Sequence, residues 1–360
     1  MVSPRGKVLV IGFDALDYEL LARHNARGMR LAPLLAPIPV TGPSWTSMYT
    51  GDSVARHGVW NVFGLEFRKR YAQNDRLQIV LWYLYNSWAV ITFKKWRKRY
   101  ATYATTPSKY VWDTLGRQGV SFKIVNMPIT CPVRPVNGVH IGGFPLVTRK
   151  RWYYPDSLAG RIPDDYPQMS DMIQWIAEPE WHSNRRWKRR LEEMGADTVL
   201  KRTEGDAHRM IDLFLHLPPA DVEMVQFSFV DRIGHVFDMS GRIEDRCYKL
   251  VDELVGRLVE GSSPASVLIV SDHGCQGRGH TDYGCLGVEG ELAGSIRIPE
   301  GYTPSVLDVA PTLAGFLGCQ HPCEGNDLTA ADRYRQAELS EEEQREKERM
   351  MQHLKDIGYL

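Results

Sequence analysis

Across 360 residues the chain carries 44 Lys+Arg against 44 Asp+Glu, a formal net charge of +0. That balance excludes a globally basic nucleic-acid binder and an acidic solvating chain. With 43% hydrophobic and 24% charged residues the composition is that of a folded globular protein, not a disordered one. The six cysteines, Cys131, Cys247, Cys275, Cys285, Cys319 and Cys323, show no C-x-x-C spacing. They indicate neither a disulfide scaffold nor a zinc finger. No secretory apolar segment precedes the first strand-like run, so the expectation is a reduced, cytoplasmic protein.

In chain order, Val8–Phe13 is a short continuous apolar run, the pattern of a strand buried on both faces. Residues 41–51, Thr-Gly-Pro-Ser-Trp-Thr-Ser-Met-Tyr-Thr-Gly, begin as a turn and continue as a helix. Pro43 suits the first helical position, which places Thr41 just before the helix N-terminus. Residues 77–93 form an apolar run with helical spacing, flanked by basic clusters. It is too short and too polar to span a bilayer. It reads either as a helix of a cap over the site or as an amphipathic helix on an anionic membrane surface. A helix over 110–117 leads to a strand over 120–126. Helical spacing returns at 207–217 and 244–259, and strand-like runs at 224–230 and 266–270. Ser340 caps a charged terminal helix whose Met350, Met351, Leu354 and Ile357 dock on the core. Strands alternating with helices predict an α/β fold with a mainly parallel sheet.

The neutral total hides an asymmetry. Between Trp60 and Arg202 stand 24 Lys+Arg and 12 Asp+Glu, leaving 20 basic and 32 acidic residues elsewhere. All ten tryptophans lie between Trp45 and Trp187. A core interrupted by a distinct insertion follows: core over 1–60, a basic, Trp-rich cap over 61–205 that returns to the core around 110–145, core again over 206–330, and a docked helix over 331–360. Further basic clusters stand at 149–151 and 185–190.

Three of the strands end in an aspartate: Asp14, Asp231 and Asp272. Sites in parallel α/β sheets form beyond the carboxyl ends of the strands, and three carboxylates on one rim repel unless cations stand among them. His235 follows Asp231 by four residues, His273 follows Asp272 directly, and His280 comes soon after. Carboxylate plus imidazole without thiolate is a ligand set for Zn²⁺ or Mn²⁺. Each residue alone has a structural use, as a helix cap or a hydrogen-bonded core histidine; the joint pattern points to two metals. The partner nucleophile is a hydroxyl at the start of the 41–51 helix, where the dipole and free N–H groups favour an anion. Position alone leaves Thr41, Ser44 and Thr46 open.

Taken together, Gly-Phe-Asp14, the 41–51 segment, His57-Gly, Asp231-Arg-Ile-Gly-His235, Ser-Asp272-His273-Gly and Gly-His280 resemble the alkaline phosphatase superfamily, in particular its type I phosphodiesterase/nucleotide pyrophosphatase branch. The resemblance implies an alkaline-phosphatase-like α/β fold with an inserted cap. It makes Thr41 the nucleophile and places one divalent ion on Asp14, Thr41, Asp272 and His273. The second falls on Asp231, His235 and His280. It implies hydrolysis of phosphodiester or pyrophosphate bonds through a phospho-threonine, on a phosphorylated small molecule or lipid headgroup, with zinc as the expected metal and manganese as an alternative. Phosphomonoester hydrolysis, phosphonate cleavage and phosphomutase chemistry use the same machinery. The branch places Asn three residues after the nucleophile as a phosphate contact, where this chain has Ser44. No nucleic acid partner is implied. A reading of another class is a membrane-surface binding protein whose fold is catalytically idle.

Overall fold

The computed structural model describes residues 6–25, 27–60, 106–144, 146, 151–169, 189, 191–330 and 334–356. The apolar run at 77–93, residues 149 and 150 and all of 185–190 but Arg189 lie outside the described residues. Among the described residues, no helix is long and apolar enough to cross a membrane.

The strands are β1 (Val8–Phe13), β2 (Arg30–Leu35), β3 (Phe122–Met127), β4 (Gly138–Gly142), β5 (Tyr153–Tyr154), β6 (Val222–Phe227), β7 (Ser266–Ser271), β8 (Gly274–Gln276), β9 (Gly279–Thr281) and β10 (Tyr283–Gly290). The helices that matter below are α1 (Tyr18–Arg23), α2 (Thr41–Thr50), α3 (Ala196–His216), α4 (Phe229–Val236), α5 (Gly241–Ser262), α6 (Val309–Phe316) and α7 (Glu341–Asp356). Eight strands form one sheet in the order β2-β10-β7-β1-β6-β3-β4-β5. The central β7, β1, β6, β3 and β4 run parallel, while β10 and β5 pair antiparallel towards the edges. β8 and β9 make a separate hairpin.

The continuous apolar strands are explained by cover on both faces. Leu9, Ile11 and Phe13 of β1 join Val267 and Ile269 of β7 in the core beneath α3, α4 and α5. Val8 and Val10 join Leu268 and Val270 in the opposite core, with Trp45, Met48 and Tyr49 of α2 and Leu313 of α6. The period of two sends alternate residues to opposite faces, and neither face has room for polar alternation. β3 and β4, from the stretch 122–142, belong to the same sheet.

Two local expectations are corrected. The strand expected over 224–230 is β6, which ends at Phe227; the chain then turns into α4, so Asp231 stands in the first helical turn and not on a strand. The helix expected within 41–51 is α2, which begins at Thr41 itself, with Val40 in extended conformation as its cap residue. Pro43 is therefore the third helical residue, still a position whose N–H has no intrahelical acceptor. At the chain end Ser340 does cap α7: its N–H and hydroxyl donate to Glu343 Oε2 at 2.9 and 2.8 Å, and its oxygen accepts from the Glu343 N–H.

Gly12 lets α2 lie against the sheet. A Cβ there would stand 2.6 Å from the ring of Trp45, which is fully buried. Gly12→Ala forces that ring to shift, at about 1–3 kcal/mol for overpacking. The expected outcome is a lower urea midpoint with an unchanged m-value, together with reduced binding of divalent metal as α2 is pushed outward.

Candidate active site

β1 and β7 are neighbours in register, with Phe13 opposite Ser271, so the next residues, Asp14 and Asp272, leave the sheet side by side. The turn after Asp14 places Ala15 at a φ of 63°, left-handed backbone that a non-glycine residue adopts only under constraint. The constraint is visible: the Ala15 N–H donates to Asp272 Oδ1 at 3.2 Å and the Leu16 N–H to Ser271 Oγ at 2.8 Å. His273 Nδ1 faces the Gly274 carbonyl at 3.1 Å. A carbonyl only accepts, so Nδ1 carries the hydrogen and Nε2 presents its lone pair. That Nε2 lies 3.4 Å from Asp14 Oδ1 and 3.4 Å from Asp272 Oδ2.

Asp14, Asp272 and His273 are all fully buried. Asp14 Oδ2, Asp272 Oδ2 and His273 Nε2 have no hydrogen-bond partner among the described residues. Burial first, then the charges of Asp272 and Asp231, push the Asp14 carboxyl well above the usual range. Burial and the Asp231 charge push Asp272 up to about 7 against the opposing Ala15 N–H. Burial, then the neighbouring His280, holds His273 well below its ordinary value. Buried acceptors facing one another without a donor are relieved by a cation. The ligand atoms of Asp14, Asp272 and His273 lie within 4.8 Å of one another, and the residues fit a divalent ion on that ground.

A second cluster adjoins the first. The backbone of Asp231 donates to the Asp14 carbonyl at 3.2 Å. One helical turn along α4, His235 brings Nε2 to 3.2 Å from Asp231 Oδ1. His280, on β9, reaches the same oxygen at 3.2 Å and faces His235 Nε2 at 3.3 Å. Two imidazole nitrogens that close need a proton or a cation between them. His280 Nδ1 donates to the Pro39 carbonyl at 2.9 Å, which again turns Nε2 inward. Backbone carbonyls thus orient both rings, the arrangement that fixes ligand histidines. Burial pushes Asp231 up, but His235 and His280 outweigh it and hold the carboxyl well below the usual range. The same contact raises His280 despite its burial. The His273 and His280 rings stack at 4.0 Å, and His273 also lies within reach of the Asp231–His280 group.

α2 delivers the hydroxyl. Thr41 Oγ1 donates to Asp14 Oδ1 at 3.5 Å. The other two hydroxyls are committed to the backbone: Ser44 Oγ donates to the Ile38 carbonyl at 2.6 Å and Thr46 Oγ1 to the Gly42 carbonyl at 2.7 Å. Asp14, Thr41, Asp231, His235, Asp272, His273 and His280 therefore lie together at one rim of the sheet, with Ser44 turned towards the loop before the helix.

Two supporting residues were not read as site residues. His57 Nδ1 accepts from the Val59 N–H at 3.0 Å, so its Nε2–H donates to Ser47 Oγ at 3.0 Å and braces α2. Asp17 caps α1 through the N–H groups of Glu19 and Leu20. It also accepts from Thr281 Oγ1 at 2.8 Å and Gln276 Nε2 at 3.2 Å, tying the β8–β9 hairpin to the end of β1. A Cβ on Gly274 would fall 2.4 Å from Asp17 Oδ2. The capping role of Asp17 was legible from its place before an apolar stretch; its hold on a hairpin at the far end of the chain was not.

The fold and the site together define an α/β chain that gathers carboxylates and imidazoles at one sheet rim, beside a helix that starts with a hydroxyl. The model of the type I phosphodiesterase / nucleotide pyrophosphatase family matches residues 8–278, and the chain belongs to that family. The match ends two residues before His280. Two curated relatives are 2,3-bisphosphoglycerate-independent phosphoglycerate mutases. That of Pseudomonas entomophila is 29% identical over 114 residues and that of Ectopseudomonas mendocina 30% over 124. The matches cover 29% and 31% of this chain, but only 22% and 24% of those relatives. Among solved structures, human ectonucleotide pyrophosphatase / phosphodiesterase 5 aligns at 12% identity over 89% of this chain and 97% of its own, with a TM-score of 0.49. Phosphonoacetate hydrolase from Sinorhizobium meliloti aligns at 12% identity over 75% and 57%, with a TM-score of 0.40.

Burial holds His57 down to about 3, and His140, also fully buried, down to about 3. Unfolded, each binds a proton below about 6.5. Between those values the unfolded chain holds more protons, so these two groups make stability fall as pH falls from about 6.5 to about 3, by about 1.4 kcal/mol per pH unit for each. Urea unfolding at stepped pH is expected to show a shallower acid slope in His140→Asn than in the unchanged chain.

Proposed function

We propose that the protein is a metal-dependent phosphoester hydrolase that uses Thr41 as nucleophile. The observation that carries this reading is the convergence of Asp14, Asp272, His273, Asp231, His235 and His280 in one cluster, with the Thr41 hydroxyl 3.5 Å from Asp14. Asp14, Thr41, Asp272 and His273 would hold one divalent ion, and Asp231, His235 and His280 the other. Bound there, divalent ions would supply charge neutralisation for an in-line displacement and would lower the pKa of a coordinated hydroxyl.

The chain's own residues do the rest. Asp14 accepts from the Thr41 hydroxyl and holds its oxygen toward the pocket. The start of α2 directs its positive dipole end at the same place, where phosphate oxygens are favoured. Thr41 Oγ1 attacks phosphorus and the ester oxygen leaves, giving a phospho-threonine that water then hydrolyses. With the Ser44 hydrogen committed to Ile38, backbone N–H groups at the start of α2 are the donors for a non-bridging oxygen. The substrate class is a phosphodiester or pyrophosphate of a small molecule, lipid headgroups included, and substrate choice is assigned to the region 61–205. A second reading, phosphomonoester or phosphomutase chemistry on the same residues, is favoured by the two phosphoglycerate mutases among the relatives.

Metal analysis and two chromogenic esters test this on one sample. About two divalent ions per chain are expected, with bis-p-nitrophenyl phosphate cleaved faster than p-nitrophenyl phosphate. The opposite order of rates moves the function to the second reading. Thr41→Ala is expected to lower kcat by about three orders of magnitude or more while metal stays bound. Retained turnover removes Thr41 from its role. Chelation is expected to abolish turnover and lower Tm, and Zn²⁺ or Mn²⁺ to restore both.

A further inference from the structure

α7 is joined to the rest of the protein at a telling place. Its Met350 is buried in a small cluster with Ile38, Val40, Val54 and Trp60, and Leu339 and Met351 pack against it. This cluster is separate from the two that cover the sheet. Lys347 Nζ also pairs with Asp282 Oδ1 at 3.1 Å, and the Asp282 carbonyl accepts from the Ala36 N–H at 2.8 Å.

Residues 36–40, which α7 grips, are the turn that feeds both halves of the site. Val40 is the cap residue of α2 and immediately precedes Thr41. Pro39 O takes the His280 Nδ1 hydrogen and sets that ring. Ile38 O takes the Ser44 hydroxyl. One irregular turn thus orients the nucleophile helix and an imidazole of the second cluster, and the apolar contacts of Ile38 and Val40 are shared with Met350. Because the cluster stands apart from the main cores, α7 can come off without opening the sheet.

We propose that α7 is a positioning clamp. Met350 and Lys347 hold the 36–40 turn so that Thr41 and His280 face the pocket, and undocking α7 switches the site off while the fold persists. The consequence for turnover rests on the hydrolase reading above; the consequence for the turn and for metal does not. A displacement of about 1 Å in a catalytic group lowers turnover about a hundred-fold, so small slack in this turn suffices.

The test uses the full chain with Met350→Asp, Met350→Leu and Lys347→Ala. In Met350→Asp, hydrogen exchange is expected to accelerate in peptides covering 36–47 and in α7, with β1 and β7 unchanged. Zn²⁺ titration is expected to show one site weakened at least about ten-fold, and kcat for bis-p-nitrophenyl phosphate to fall about ten- to a hundred-fold with little change in KM. Met350→Leu restores all three. Lys347→Ala, a milder surface change, shows the same pattern at smaller amplitude and decides the matter if Met350→Asp fails to fold. Unchanged exchange over 36–47 overturns the clamp. So does faster exchange with unchanged metal affinity and unchanged turnover. If the unaltered chain cleaves no phosphoester, the hydrolase reading falls alone, and exchange and Zn²⁺ affinity still decide the clamp.

Discussion

Three carboxylates buried at one end of a parallel sheet set the terms for everything around them. Asp14 and Asp272 leave adjacent strands in register, and Asp231 reaches them from the first turn of α4, its N–H bonded to the Asp14 carbonyl. Parallel pairing makes this unavoidable, because neighbouring strands release their chains at the same rim. Burial and like charge push Asp14 and Asp272 above the ordinary carboxylate range, while His235 and His280 hold Asp231 below it. The surrounding imidazoles answer only part of that repulsion. His273 and His280 give their Nδ1 hydrogens to the backbone carbonyls of Gly274 and Pro39, which leaves each Nε2 facing the carboxylates. That excess of buried negative charge is what the proposed divalent ions would answer.

The second constraint is reach. A threonine side chain is short, so the start of α2 must come within a few ångströms of the sheet. The missing side chain at Gly12, over which the Trp45 ring packs, makes that approach possible. The same economy appears at Gly274, where the hairpin carrying His280 presses against Asp17. Both glycines act by leaving space, and both bring a functional side chain to the rim.

The sheet was readable because strands covered on both faces leave a plain signature of continuous apolar residues, and Val8–Phe13 and the 266–270 run show it without ambiguity. The site was readable because polar residues of one chemistry follow those runs at once. What the sequence did not show has a common physical origin in local geometry. Phe229 and Val230 are apolar enough to extend a strand, so nothing in them signals that β6 ends at Phe227 and that Asp231 turns with a helix. Pro43 fits either the first or the third helical position, since neither needs an N–H, and so the start at Thr41 stayed hidden. The commitment of Ser44 to the Ile38 carbonyl, the brace between His57 and Ser47, and the hold of Asp17 on the β8–β9 hairpin depend on contacts between distant segments. Periodicity carries no information about those.

The strand order has a consequence for how the protein is made. β1 (Val8–Phe13) is flanked on both sides by strands from much later in the chain, β6 (Val222–Phe227) and β7 (Ser266–Ser271). A ribosome-bound chain therefore carries Val8–Phe13 with neither edge satisfied until β6 and β7 have emerged. Such long-range pairing folds slowly and leaves an apolar edge exposed to other chains. Asp14 and Thr41 are likewise available early but meet Asp272, His273 and His280 only at the end. A chain that has not yet reached Asp231 and Asp272 therefore carries only part of the candidate site.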